Sequence, residues 1–145
     1  MGLGGKGNEG VASQVKQIAG SLGYVELIYA IQNKINYGRV QNTAGHFIAA
    51  DLKSVTAAAA GAAEKMPDDF RVSITNPPGA DAYPISSFTW LLIPDRIEDP
   101  IKRNAITKFL NWSLDEGQNL LEPLAYARLP KKVIAKERAA IAKIK

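Results

Sequence analysis

An α/β fold is predicted by three observations: short segments rich in β-branched and aromatic residues alternate with stretches of helical apolar period, glycine and proline clusters separate them, and no segment recurs at fixed spacing. The chain's 145 residues, 46% hydrophobic and 22% charged, suit one ordinary domain with a real core. No apolar run approaches the roughly 20 residues that span a bilayer, and no signal-peptide pattern stands at the N-terminus. Cysteine is absent, which excludes disulfides, thiolate catalysis and cysteine-based zinc sites and leaves the compartment open. The net charge of +4 arises from eighteen basic residues interleaved with fourteen acidic ones, so basicity names no anionic partner.

Each element has its own signal. Residues 2–10, Gly-Leu-Gly-Gly-Lys-Gly-Asn-Glu-Gly, lead into a helix over about 9–18, with Asn8 as N-cap and Val11, Val15 and Ile18 on one face. Gly23 to Glu26 reads as a brief strand, and Leu27, Ile28, Ala30 and Ile31 resume helical spacing. Two strand-like pieces, 36–40 and 46–48, flank the turn composition Asn42-Thr43-Ala44-Gly45 and predict a hairpin. Asp51 caps an alanine-rich helix that runs through Glu64 and ends before Pro67. Arg71 to Thr75 alternates as a half-buried strand does. Ile85 to Ile93, dense and bounded by Pro84 and Pro94, predicts a central strand covered on both faces. Asp99 to Glu116 predicts a helix with a wide apolar face and Pro100 in its first turn, and a last helix from about Pro130 turns Val133, Ile134, Ile141 and Ile144 inward with its lysines outward.

The opening glycines satisfy the dinucleotide fingerprint G-x-G-x-x-G twice, as Gly2, Gly4, Gly7 and as Gly5, Gly7, Gly10. That motif needs a preceding strand to deliver pyrophosphate to the helix N-terminus, and only Met1 precedes it. A nucleotide-binding enzyme using loop 2–10, with Glu26 as its ribose-binding acid, is therefore the alternative reading beside a plain connection into a helix and an anion site of free amides. His46 is the lone histidine and lacks ligand spacing, so no metal and no cofactor is expected. Ser86, Ser87, His46 and Asp81 hold the letters of a hydrolytic triad without a G-x-S-x-G elbow, so no catalytic residue is assigned. The basic tail from Lys131 suits either a solvated face or an anionic surface, and Tyr24, Tyr29 and Tyr37 interleave too few basic residues for a nucleic-acid platform.

Three segments carry a resemblance: Gly-Leu-Gly-Gly-Lys-Gly-Asn-Glu-Gly-Val at 2–11, Gly-Ser-Leu-Gly-Tyr-Val-Glu at 20–26, and Ala-Tyr-Pro-Ile-Ser-Ser-Phe-Thr-Trp at 82–90. Together with Asn33, Ala125-Tyr126-Ala127, Leu129-Pro130 and the terminal helix, they resemble the C-terminal portion of the periplasmic phosphate-binding protein of bacterial phosphate ABC transporters. Departures are small: Ala19 stands where the family usually has proline, Leu22 where isoleucine is frequent, and Asp95-Arg96 where Lys-Asp is common.

The resemblance implies an incomplete part of a two-lobe, type II periplasmic-binding-protein fold, with 1–50 a remnant of the second lobe and 51–145 returning to the first. It implies a non-enzymatic role in phosphate uptake, inorganic phosphate and a membrane permease as the intact parent's partners, and a periplasmic location for that parent. The family's phosphate ligands lie upstream of the position matching Gly2, so no residue here is expected to touch phosphate, and Gly5, Gly7 and Asn8 are expected just behind the ligand shell. Strands meant for missing neighbours would offer open edges, so self-association or a need for the N-terminal half is expected.

Overall fold

The computed structural model describes residues 2–145; Met1, the residue before the glycine loop, lies outside them. In chain order the elements are α1 (Gly7–Gln17), α2 (Leu27–Gln32), β1 (Arg39–Gln41), β2 (Phe47–Ala49), α3 (Leu52–Ala62), α4 (Pro100–Leu114) and α5 (Lys131–Ile141). A 3₁₀ turn, Ala63–Lys65, extends α3, and two more, Glu116–Leu120 and Glu122–Leu124, follow α4. Among the described residues the β1–β2 hairpin is the only sheet. Two compact units divide between Arg39 and Val40.

The first unit is built on α1 and α2, which bury Ala12 and Ala30 respectively. Gly23 lies so close to α1 that a Cβ there would stand 2.7 Å from Val15 Cγ2 and 2.9 Å from Val11 Cγ1. The missing side chain therefore sets how near the segment before α2 approaches the helix.

In the second unit Asp51 forms a capping box. Its Oδ1 accepts from the Ser54 amide at 2.7 Å, and Ser54 Oγ lies 3.1 Å from the Asp51 amide. The alanines of α3 let neighbouring chain approach closely: Ala59, Ala62 and Ile74 form the core, with Val72 and Phe88 packed on it. Asn42 ties the hairpin to the stretch that follows this core. Its amide donates to the carbonyls of Gly79, Ala80 and Ala82, at 3.2, 2.8 and 3.2 Å. The C-terminal residue closes the far end, where the Ile97 amide donates to Lys145 O and the Lys145 amide to Asp95 O, at 2.6 and 2.9 Å.

Helices were predicted well because their signals are local. Asp99 caps α4, its Oδ1 accepting from the Ile101 and Lys102 amides, with Pro100 at the first helical position. Asn8 is a correction. It lies inside α1, whose N-cap position is Lys6, and its side chain is committed elsewhere. The three strands expected at 23–26, 71–75 and 85–93 also need correcting, since none joins a ladder. A strand exists by pairing with a neighbour, and the local bonds here, such as Val72 N to Phe70 O, bring none. Ile74 is nevertheless buried as predicted, while Leu92, placed in a doubly covered strand, is 94% exposed. The wide face of α4 is likewise largely uncovered: Ile101 is 81% exposed, Phe109 stacks on Trp112 with both rings half in water, and Leu114 alone is buried.

Of the α5 lysines Lys136 alone departs from the outward placement: it is half-buried and donates to the Met66 carbonyl, whereas Lys132 pairs with Glu64 at 2.8 Å on the exposed face. Arg138 pairs with Asp115. The Lys132 ammonium, by its hydrogen bond, holds the Glu64 carboxyl below its ordinary value. Burial has the opposite effect on Glu137, pushing its carboxyl up. Below the ordinary value both states are protonated and burial costs nothing, and stability falls as pH rises from there through the folded value. Glu137→Gln is therefore expected to raise the melting temperature slightly near pH 7 and to have no effect near pH 3. Equal effects at both pH values, followed by circular dichroism, would contradict that cost of burial.

Candidate functional site

The opening loop folds back on α1. A Cβ at Gly5 would stand 2.6 Å from the Val11 amide nitrogen, and one at Gly10 would meet Gly5 at 3.1 Å, so the two glycines are in backbone contact. Gln14 Nε2 donates to Gly4 O at 2.8 Å, which fixes the loop's outer end. Gly7 begins the helix at φ +66°, a conformation that L residues rarely adopt. These glycines are used for close approach and one turn.

The positive end of α1 carries a carboxylate of its own. Glu9 sits in the first turn, with Oε2 3.0 Å from where a Gly7 Cβ would be, and its Oε1 accepts from the Tyr29 hydroxyl at 3.0 Å. A carboxylate there satisfies the helix dipole and disfavours a second anion. Asn8 closes a reciprocal pair with Glu26, its Nδ2 donating to Glu26 Oε1 at 3.2 Å and its Oδ1 accepting from the Glu26 amide at 2.9 Å. Glu26 is the residue that precedes α2, so this pair joins the start of one helix to the start of the next.

Of the residues singled out from sequence, Gly5, Gly7, Asn8 and Glu26 are thus brought together. No strand precedes the glycines among the described residues, and Glu26, the expected ribose acid, faces Asn8. The triad letters point to separate partners. His46 Nδ1 lies 3.2 Å from Ala80 O, the buried Ser86 hydroxyl donates to Tyr83 O, and the Ser87 hydroxyl to Phe88 O. No group of metal-ligating side chains occurs among the described residues, and no described helix is long and apolar enough to cross a membrane. Sequence reasoning missed Asn42, whose only signal was membership of a turn.

Compared with known proteins, the chain is 44% identical over 133 residues, 92% of its length, to the phosphate-binding protein PstS of Xylella fastidiosa strain Temecula1. The chain is similar to one portion of PstS phosphate-binding proteins. The PstS of Pasteurella multocida is 38% identical over 95% of the chain, and that of Methanocaldococcus jannaschii 35% identical over 91%. The chain spans only 36%, 40% and 37% of these three PstS relatives. No protein-family model matches it. Two of the three segments that carry the PstS resemblance, 2–11 and 20–26, meet through the Asn8–Glu26 pair.

Proposed function

We propose that this chain is the C-terminal portion of a phosphate-binding protein that captures inorganic phosphate in the periplasm and delivers it to an ABC-transporter permease. The observation that carries the reading is 44% identity, along 92% of the chain, to a relative named for phosphate binding. The role is non-enzymatic. Residues 1–50 belong to the second lobe of a two-lobe, type II binding-protein fold and 51–145 return to the first. Phosphate is held by groups outside this chain, with Gly5, Gly7 and Asn8 behind them. The Glu9 carboxylate in the first turn of α1 supports that placement, because a negative charge there disfavours a second anion. Open apolar surface such as Leu92 and Ile101 supports the further reading that the chain either self-associates or docks on its N-terminal complement.

Calorimetry with inorganic phosphate tests the assignment, on the chain alone and after mixing with the remaining portion of a relative-length protein. The chain alone gives no saturable heat at micromolar phosphate, and the mixture binds one equivalent. Micromolar binding by the isolated chain would move the site into it, and silence from a mixture that has associated by light scattering would sink the reading. The same scattering run on the chain alone is expected to show a mass above the monomer's, and a compact monomer at high concentration removes the self-association.

A further inference from the structure

We infer that the cleft between α4 and α5 binds an amphipathic carboxylate. The cleft is about 380 Å³, within the range of small-molecule sites. Its α4 wall is polar because Arg103, Thr107 and Asn111 recur every fourth residue and share one helix face, with Asn104 beside them. Its other wall places Ile141, Ala142 and Ile144 beside Arg138. No carboxylate lines it.

The two guanidinium groups are not equivalent. Arg138 is committed to Asp115 and to Asn111 Oδ1. Arg103 is half-buried, gives one N–H to Ile97 O at 3.2 Å and has no carboxylate partner among the described residues. Its remaining N–H groups and the uncommitted Asn104 carboxamide are the open donors. A half-buried cation without a counter-charge is costly, and an incoming anion relieves that cost.

Counting charge selects the class. One open guanidinium matches one negative charge, and its planar fork fits a carboxylate in bidentate fashion. A doubly charged oxyanion would need more converging donors, and its hydration would be lost against the isoleucines. A hydrocarbon body is suited to that same wall. The α4 N-terminus plays no part, since Asp99 already occupies it.

The test is an amide chemical-shift titration of the full chain with octanoate, with 1-octanol, acetate and inorganic phosphate as comparisons. Octanoate is expected to give saturable shifts centred on Asn104, Thr107 and Ala142, with the three comparisons much weaker. Arg103→Gln is expected to weaken octanoate by about tenfold or more, and Lys108→Gln, outside the cleft, to leave it unchanged. If Arg103→Gln does not fold, Ala142→Leu fills the cleft from an exposed position and is expected to abolish binding. Absence of saturable shifts, octanol binding as well as octanoate, phosphate shifting the same amides at equal concentration, or unimpaired binding by either cleft variant would overturn the inference.

Discussion

Asn42→Ala is expected to destabilise the second unit by about 3 kcal/mol and to lower its melting temperature by roughly 10 °C or more. Asn42 is 6% exposed and uses both ends of its carboxamide. Its nitrogen donates to the Gly79, Ala80 and Ala82 carbonyls, and its oxygen accepts from the Ala44 and His46 amides, each at 3.0 Å. Alanine removes all of these while leaving the backbone groups in place. Ala82 has no exposed surface, so water has poor access to rescue its carbonyl. Asn42→Asp separates polarity from donor function. Its carboxylate keeps the two amide donors but faces three carbonyl oxygens, so near pH 7 it is expected to do at least as much damage as alanine. Those oxygens raise the folded pKa of the new acid, so the loss shrinks as pH falls through that raised value. Thermal unfolding followed by circular dichroism decides; a loss below about 1 kcal/mol for Asn42→Ala would mean that the clamp contributes little beyond an ordinary hydrogen bond.

The contrast between α3 and the segment 85–93 shows what was legible and why. Asp51 and Ser54 state the start of α3 within four residues, and Asp99-Pro100 does the same for α4, because capping is a matter of neighbours in sequence. The hairpin was legible through its turn residues for the same reason. The run from Ile85 to Ile93 states only that its side chains are apolar and β-prone, and pairing is a property of whatever lies beside it. Without a ladder its Leu91 and Leu92 lie largely in water. At the candidate site, glycine spacing marked the loop, and no described strand precedes it for the nucleotide use that the spacing also allows. The Gly5–Gly10 contact depends on how the loop folds back and the Asn8–Glu26 pair on a segment 18 residues away, and a spacing pattern shared with many unrelated loops specifies neither. Asn42 was illegible for a similar reason, since its acceptors lie 37 to 40 residues away.

Gly61→Ala is expected to destabilise the second unit by about 2 kcal/mol, against the gain of about 1 kcal/mol that glycine-to-alanine usually brings inside a helix. Gly61 is one residue from the end of α3, and a Cβ there would collide with the Pro78 carbonyl oxygen. The collision is with backbone, so no rotamer change relieves it. Nor can the Pro77-Pro78 loop retreat freely: Thr43 Oγ1 donates to Pro77 O at 3.3 Å, and Asn42 holds the Gly79 and Ala80 carbonyls on the other side. Ala60→Gly, at the exposed neighbouring position, supplies the propensity reference and is expected to cost about 1 kcal/mol. Glycine is then required at one position and disfavoured at the next, which only the close approach explains. Coupling provides the sharper test. If Asn42 is what keeps the loop from yielding, the cost of Gly61→Ala falls once Asn42 is alanine, and the double mutant is less destabilised than the sum of the singles. Strict additivity in urea unfolding would show that Asn42 does not hold the loop, and a stabilised Gly61→Ala would show that α3 and Pro78 are not in contact at all.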